Sequence, residues 1–407
     1  TNTYAGGTTI NAGAIRVDNF ARLGTGAVVG NAGGSLILDY NGAGQLLQTT
    51  PFMSGAGSFI KEGSGDVVMN QSSTYTGGTT IRAGRIGLNN GDALGTGNIQ
   101  VDAGATLGIG GITLANSVSG SGAIVKTANN QATLSGDNSA FTGLFDVQDG
   151  GVELTDGRAA GSGDLAIAGG SFVFVNSAVG DTTIAADISG AGDLENFSNT
   201  RLTLTGNNTL SGVVFVSNGT LQVEGSQNIG TANINVVSAA ARLDLNTAGS
   251  TVLSNNVAGN GGVVKTGTGT VLLTGTNSYS GGTDIQQGAL RVTDVSFLGT
   301  GSITVQQGAA LDLAIAGQQS LNQAVSGAGI LRKSDLGDLT LLSNGLTGGV
   351  DVVGGRVIVN TAGAIGGGPV SLAADTQLVF DNAATEVSNT PISGAGALTK
   401  EGAGLLG

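Results

Sequence analysis

Residues 259–292 read GNGGVVKTGTGTVLLTGTNSYSGGTDIQQGALRV. From Gly259 to Gly281 the odd positions run Gly, Gly, Val, Lys, Gly, Gly, Val, Leu, Gly, Asn, Tyr, Gly, and the even ones are mostly Thr, Ser, Asn or Gly. Alternation of period two marks strands with one apolar or small face and one wet face. The phase runs on through Thr283 and Ile285, breaks at Gly288 and resumes at Leu290 and Val292. A break at glycine, which takes positive φ freely, places a corner there.

The same unit recurs along the chain. Its anchor glycine lies at Gly55, Gly120, Gly190, Gly259, Gly327 and Gly394, at nearly even intervals. An aromatic residue or leucine follows the same register at Tyr4, Tyr75, Phe141, Leu210, Tyr279 and Leu346. A turn of the LGTG kind does so at Gly24, Gly95, Gly161, Gly230, Gly299 and Gly366. Three markers in one register of roughly 65–71 residues predict a single elongated solenoid over residues 1–407, in place of two or three globular domains. Both ends fall inside a copy, so the chain reads as a fragment with no signal peptide of its own.

Composition agrees with a solenoid. There are 75 Gly, 3 Pro and 11% charged residues, which suits neither collagen nor a disordered linker. With 4% aromatic residues and no Trp, the core must be narrow and built from Val, Ile, Leu and Ala. A net charge of −13 excludes nucleic acid as a partner, because neutralising phosphates needs clustered Lys and Arg. Without Cys or His there is no disulfide framework, no thiolate metal site and no Ser-His-Asp triad. No apolar run is long enough to span a membrane as a helix.

The expected fold is all-β: a right-handed parallel β-helix with about three rungs per repeat, since parallel crossovers favour that hand. Roughly eighteen rungs spaced about 4.8 Å apart would give a rod on the order of 85 Å long. The inward positions of the best copy are Val263, Val271, Leu273, Ile285, Leu290 and Val292. Like stacked on like, each contributes about 1.5–3 kcal/mol by burial. Gly13, Gly84, Gly150, Gly219, Gly288 and Gly355 form a set of turn glycines, and Asn138, Asn208, Asn277 and Asn344 are candidates for an asparagine ladder.

One set of positions is odd. All five lysines, Lys61, Lys126, Lys265, Lys333 and Lys400, lie six residues after the anchor glycine, and Asn196 replaces them in the remaining copy. Their parity is that of the apolar face, where an unpartnered charge is costly. The expectation is a structural column at a corner, each ammonium bonding exposed carbonyls or acids such as Glu62 and Glu401. On that reading Lys265→Met should cost little.

No catalytic, cofactor-binding or metal-binding residues emerge. A glycosidase needs two converging carboxylates. The nearest acidic cluster is Asp146, Asp149, Glu153 and Asp156, with Asp335 and Asp338 a smaller one. Asp146 shares its outward position with Asp284 and Asp351, which reads as a solvated ladder. The glycine strings open no helix and carry no nucleotide signal, and the calcium-binding nonapeptide does not repeat.

The pattern GxGxLxKxGxGxLxLxGxNxYxGGTxIxxGxLxV, nearly letter for letter at Gly259–Val292, resembles the passenger-associated transport repeat of bacterial autotransporters. The match is strong from Gly55 and Gly259, clear from Gly327 and Gly394, and eroded from Gly190. The resemblance implies a passenger that crosses the outer membrane through a C-terminal β-barrel of its own, missing from this chain, and folds outside the cell as a β-helix. It implies an adhesive or self-associating role on the bacterial surface. Its partners would be like molecules on other cells, or surface glycans or proteins of a host or the environment. A polysaccharide-processing enzyme and a plain stalk presenting another domain are the alternatives.

Overall fold

A computed structural model describes residues 2–49 and 52–407. Among them helix is confined to short 3-10 turns, and every strand pair is parallel. The chain divides into two compact units, Thr1–Gly212 and Val213–Gly407, each of which is a parallel β-solenoid.

In the first unit Thr79 pairs with Ile99, and Ile99 in turn with Val118. One turn of the coil therefore takes roughly 20 residues, the short end of the range for solenoid units. One face is a six-stranded sheet running from Gly13–Val17 to Val118–Gly120, and the next is a nine-stranded sheet from Leu46–Gln48 to Thr209–Leu210. Further strands, among them Gln131–Leu134, Gly151–Leu154, Phe172–Val175 and Asp193–Asn196, make another. The second unit repeats the plan. It has an eight-stranded sheet from Ser250–Leu253 to Ile392–Gly394 and a five-stranded one from Gln319–Leu321 to Ala397–Glu401. A further ladder carries Arg242–Leu245, Gly262–Lys265, Thr283–Ile285 and Ile303–Val305. The inward residues named from the sequence are buried, and Leu273 lies between Leu253 and Val292 on the adjoining strands.

The repeat and the turn are not commensurate. The repeat exceeds three turns of the coil by close to one face. In the first unit Gly55, Gly120 and Gly190 accordingly fall in three different sheets. In the second, Gly327 and Gly394 likewise end strands of two different sheets. Equivalent residues of successive repeats thus do not lie over one another. What stacks is one part of a repeat on another part of the same repeat.

Glycine shows this best. Gly57, Gly77 and Gly97 occupy one corner on three successive turns, as do Gly261, Gly281 and Gly301. A Cβ on Gly77 would collide with the backbone of Gly57, and one on Gly97 with that of Gly78. The turn glycines Gly13, Gly84, Gly150, Gly219, Gly288 and Gly355 all have φ between 58° and 71°, the left-handed region that a side chain opposes.

Two side-chain devices close the core. Tyr75 and Tyr279 are fully buried, and their hydroxyls meet those of Thr79 and Thr283 at 2.6 and 2.8 Å. Burial pushes both phenols up, that of Tyr279 to about 12. Where the aromatic hydroxyl is missing, so is its partner: Phe141 is followed four residues later by Phe145, Leu210 by Val214 and Leu346 by Val350, all buried. Each such pair is thus either hydroxyl with hydroxyl or apolar with apolar, and neither member is a stranded polar group.

The asparagines do not form a ladder, because the face shift separates them. Each one instead ties its own turn to its neighbours. Asn138 accepts from the Val118 N–H at 2.7 Å and donates to the Ala159 carbonyl at 2.8 Å. Asn277 accepts from Val257 at 2.9 Å and donates to Phe297 at 2.7 Å. Ser73 occupies the corresponding place in the second copy, and its buried hydroxyl has no partner among the described residues.

Two stability outcomes follow from this packing. Leu273→Ala should cost about 2–5 kcal/mol as a buried cavity, whereas Ser302→Ala on the exposed face should stay within about 0.5 kcal/mol. Equal denaturant midpoints for the two variants would show that the inward parity is misassigned. Ser73→Asn should raise stability by roughly 0.5–1.5 kcal/mol by supplying the missing inter-turn bonds; a lowered midpoint would refute that equivalence.

Candidate functional site

The lysines are the most unusual groups in the chain, and they depart from the corner column that their spacing predicts. Lys61, Lys126, Lys265 and Lys333 are fully buried, whereas Lys400 is exposed. They form no column. Lys61 and Lys126 lie in different sheets of the first unit, and Lys265, Lys333 and Lys400 in three different sheets of the second. The flanking inward residues are apolar: Leu38 and Ile81 beside Lys61, Ile109 and Val147 beside Lys126, Leu245 and Ile285 beside Lys265, Leu313 and Val352 beside Lys333. The aliphatic stems therefore fill the core while the ammonium reaches the corner.

The hydrogen bonds of these ammonium groups go to main-chain carbonyls. Lys61 Nζ donates to Glu62 and Gly63 at 2.7 Å and to Ala83 at 3.3 Å. Lys333 Nζ donates to Asp335 at 2.8 Å, Ser334 at 3.0 Å and Gly354 at 3.3 Å. Lys126 serves Ala128 and Asp149, and Lys265 serves Gly267 and Gln287. The carboxylate of Glu62 instead pairs with Arg16 and Arg82. Each lysine thus satisfies carbonyls of a tight turn and of the turn one rung on.

Across the outer face of the GGT motif runs a shallow polar trough, and one lies in each unit. In the first it holds about 360 Å³ between Thr76, Thr80, Asn98, Gln100 and Ser119. In the second it holds about 490 Å³ between Asp284, Gln286, Ser302, Thr304 and Gln306. Gly77–Gly78 and Gly281–Gly282 line them, so absence of side chains makes the depression; hydroxyls and amides make its walls, with Arg242 and Asp284 added in the second. Asp284 is held in place by Gln286 at 2.8 Å and Gln306 at 3.1 Å. The signal for these troughs is in the sequence: the repeat markers place glycines one turn apart.

The acidic clusters do not converge into a catalytic pair. Asp146 lies on Leu144–Val147, where Gln148 donates to it at 2.6 Å, and Glu153 lies on Gly151–Leu154 in another sheet. Asp149 offers its main-chain carbonyl to Lys126. Asp156 caps the 3-10 turn Gly157–Ala160; burial pushes its carboxyl up, but bonds from Arg158 and Thr182 outweigh this and hold it below the usual value. Asp335 adopts φ 71° at a corner and Asp338 faces Arg356 at 3.7 Å. Asp284 and Asp351 lie in different sheets, so the outward ladder expected there is absent. Among the described residues no group of three or more His, Cys, Asp or Glu is disposed to hold a metal ion.

Burial lowers the pKa of Lys61, Lys126, Lys265 and Lys333. Between the lowered value and the ordinary one of about 10.4, the unfolded chain binds more protons than the folded one, so these groups make stability rise with pH over that window. Lys265→Met should cost about 1–3 kcal/mol at neutral pH, since it deprives buried carbonyls of a donor. The unsubstituted protein should then gain further on this variant as pH rises from about 7 to 10. Denaturant midpoints that move in parallel would contradict the buried placement.

The description "Passenger-associated-transport-repeat" belongs to the family model that matches residues 1–17, 59–87, 200–223, 263–292 and 331–359. The copies from Gly120 and Gly394 fall outside the matched segments, while that from Gly190, eroded at its start, is matched over its second half. The chain is 28% identical over 416 residues to the adhesin BmaC autotransporter of Brucella suis biovar 1 (strain 1330), covering 87% of this chain and 11% of that protein. It is 28% identical over 228 residues to the uncharacterized lipoprotein YdeK of Escherichia coli (strain K12), covering 50% of this chain and 17% of that protein. The chain thus spans less than a fifth of either relative. No solved structure matches it. These repeats on a parallel β-solenoid, and the similarity over most of the chain to an autotransporter adhesin, support an autotransporter passenger domain.

Proposed function

We propose that this passenger acts in contact between surfaces, without catalysis, through many weak polar sites on its outward faces. The observation that carries the reading is the recurrence of one glycine-lined trough in both units, walled by hydroxyls and amides, joined in the second by Arg242 and Asp284, and lacking any converging acid pair. Sites of that chemistry bind weakly one at a time, and repetition converts weak contacts into avidity. The name of the Brucella suis relative, an adhesin, supports the same reading. The partners are like molecules on neighbouring cells, or glycans and proteins of a host or environmental surface. Display at the bacterial surface would run through an outer-membrane β-barrel elsewhere in the longer protein.

The 13 excess negative charges oppose pairing between copies. Cell clumping by self-association should therefore strengthen from low to moderate salt, as screening shortens the reach of that repulsion to about 8 Å. The test compares clumping and adhesion of cells displaying the full-length protein with cells displaying a version that lacks residues 1–407. Both should fall on deletion, and Thr80→Arg with Thr304→Arg, which fill the two troughs, should reproduce part of the loss. If deletion changes neither clumping nor adhesion, the segment is a stalk and the contact role is wrong.

A further inference from the structure

The first unit carries an exposed aromatic patch that the polar outward faces do not account for. Phe172 is 40% exposed and Phe197 49%, with Phe174 half-buried between them. The rings of Phe172 and Phe174 are stacked with centroids 6.1 Å apart, and Phe174 meets Phe197 edge to face at 6.3 Å. The Phe172 ring lies over Gly151, where a Cβ would collide with it. Glycine on the adjoining strand is thus what lets the ring lie flat.

The register sets acids on both sides of this patch. Glu153, Phe174 and Glu195 are direct partners across three successive strands, and Asp193 is the partner of Phe172. Neighbouring strands are about 4.8 Å apart, so a group seated on the Phe174 face is within reach of both glutamates. Glu153 is held by Asn176 at 2.9 Å, Thr133 at 3.1 Å and Gln131 at 3.2 Å, all neutral donors that orient the carboxylate and leave its charge uncompensated. The strands Gln131–Leu134, Gly151–Leu154, Phe172–Val175 and Asp193–Asn196 contain neither Lys nor Arg.

We propose that this patch docks an arginine-bearing segment of a protein partner, the guanidinium lying on the Phe174 ring between Glu153 and Glu195. The charge complementarity selects a cation, and the flat rings select a planar one. A guanidinium stacks on an aromatic face and forks to carboxylates in a way an ammonium does not. The apolar stem of the arginine would cover Phe172 or Phe197. This inference is independent of the trough-based adhesive role, since it concerns other residues and another ligand chemistry.

The experiment measures binding of a fluorescein-labelled hexa-arginine peptide to the intact chain by anisotropy at about 0.15 M salt, where long-range attraction to the net charge is screened. Phe172→Thr, Phe197→Ser and Glu195→Gln should each weaken binding by about five-fold, with Asp375→Asn at an exposed corner of the second unit leaving it unchanged. Hexa-lysine should bind more weakly than hexa-arginine. Circular dichroism and the denaturant midpoint identify any variant that fails to fold, and the most exposed position, Phe197, keeps the test valid if the others do. Equal affinity of the phenylalanine variants and the parent would overturn the proposal by reducing the binding to general electrostatics. Loss of binding to neutral oligosaccharides in those variants, with the peptide unaffected, would overturn it in favour of a glycan.

Discussion

Parallel pairing of each turn with the next, about 4.8 Å away, is the constraint on which the rest of this structure depends. It makes every residue the neighbour of those one turn before and one turn after it, so turn length, and not sequence proximity, decides which side chains meet. Inward aliphatic residues meet aliphatic residues on both sides, as Leu273 meets Leu253 and Val292. At the glycine corners successive backbones approach so closely that no Cβ fits between them. Hydrogen bonds between asparagine side chains and the turns on either side tie the same stack together where the strands stop.

The mismatch between repeat and turn has an electrostatic result. A repeat of three whole turns would set each lysine in the same sheet as its equivalents, three strands and roughly 14 Å apart, gathering buried like charges along one face. The remainder moves each lysine to another sheet, and the four buried ones lie between a Leu or Ile and an Ile or Val. A charge isolated in this way is accommodated by carbonyls of its own corner. Desolvation then dominates its energetics, which is why its pKa moves downward.

The outer surface carries the variation. The same backbone presents polar troughs over the GGT motif and an aromatic, acidic patch at Phe172, Phe174 and Phe197. In a parallel solenoid an outward substitution alters no inward contact, so one fold can carry several surface chemistries. That freedom matches the division of labour in the chain: repeated residues hold the coil, and unrepeated ones such as Phe197 distinguish one turn from another.

Period-two alternation and three glycine-centred markers at a common spacing determined the parallel solenoid, the inward residues and the corners, because these depend only on neighbours along the chain. The pairing of Tyr75 with Thr79 is present in the sequence only as a spacing of four residues, and the structure is what joins their hydroxyls. A turn of about a third of a repeat was legible too, but the remainder of close to one face was not, since corners absorb extra residues without disturbing the alternation. A sequence read in units of the repeat therefore predicts columns of lysine and asparagine. Only the tertiary structure, in which the turn and not the repeat is the stacking unit, separated those columns and buried four ammonium groups on carbonyls. It alone also brought Glu153, Phe174 and Glu195, each a full turn from the next along the chain, side by side.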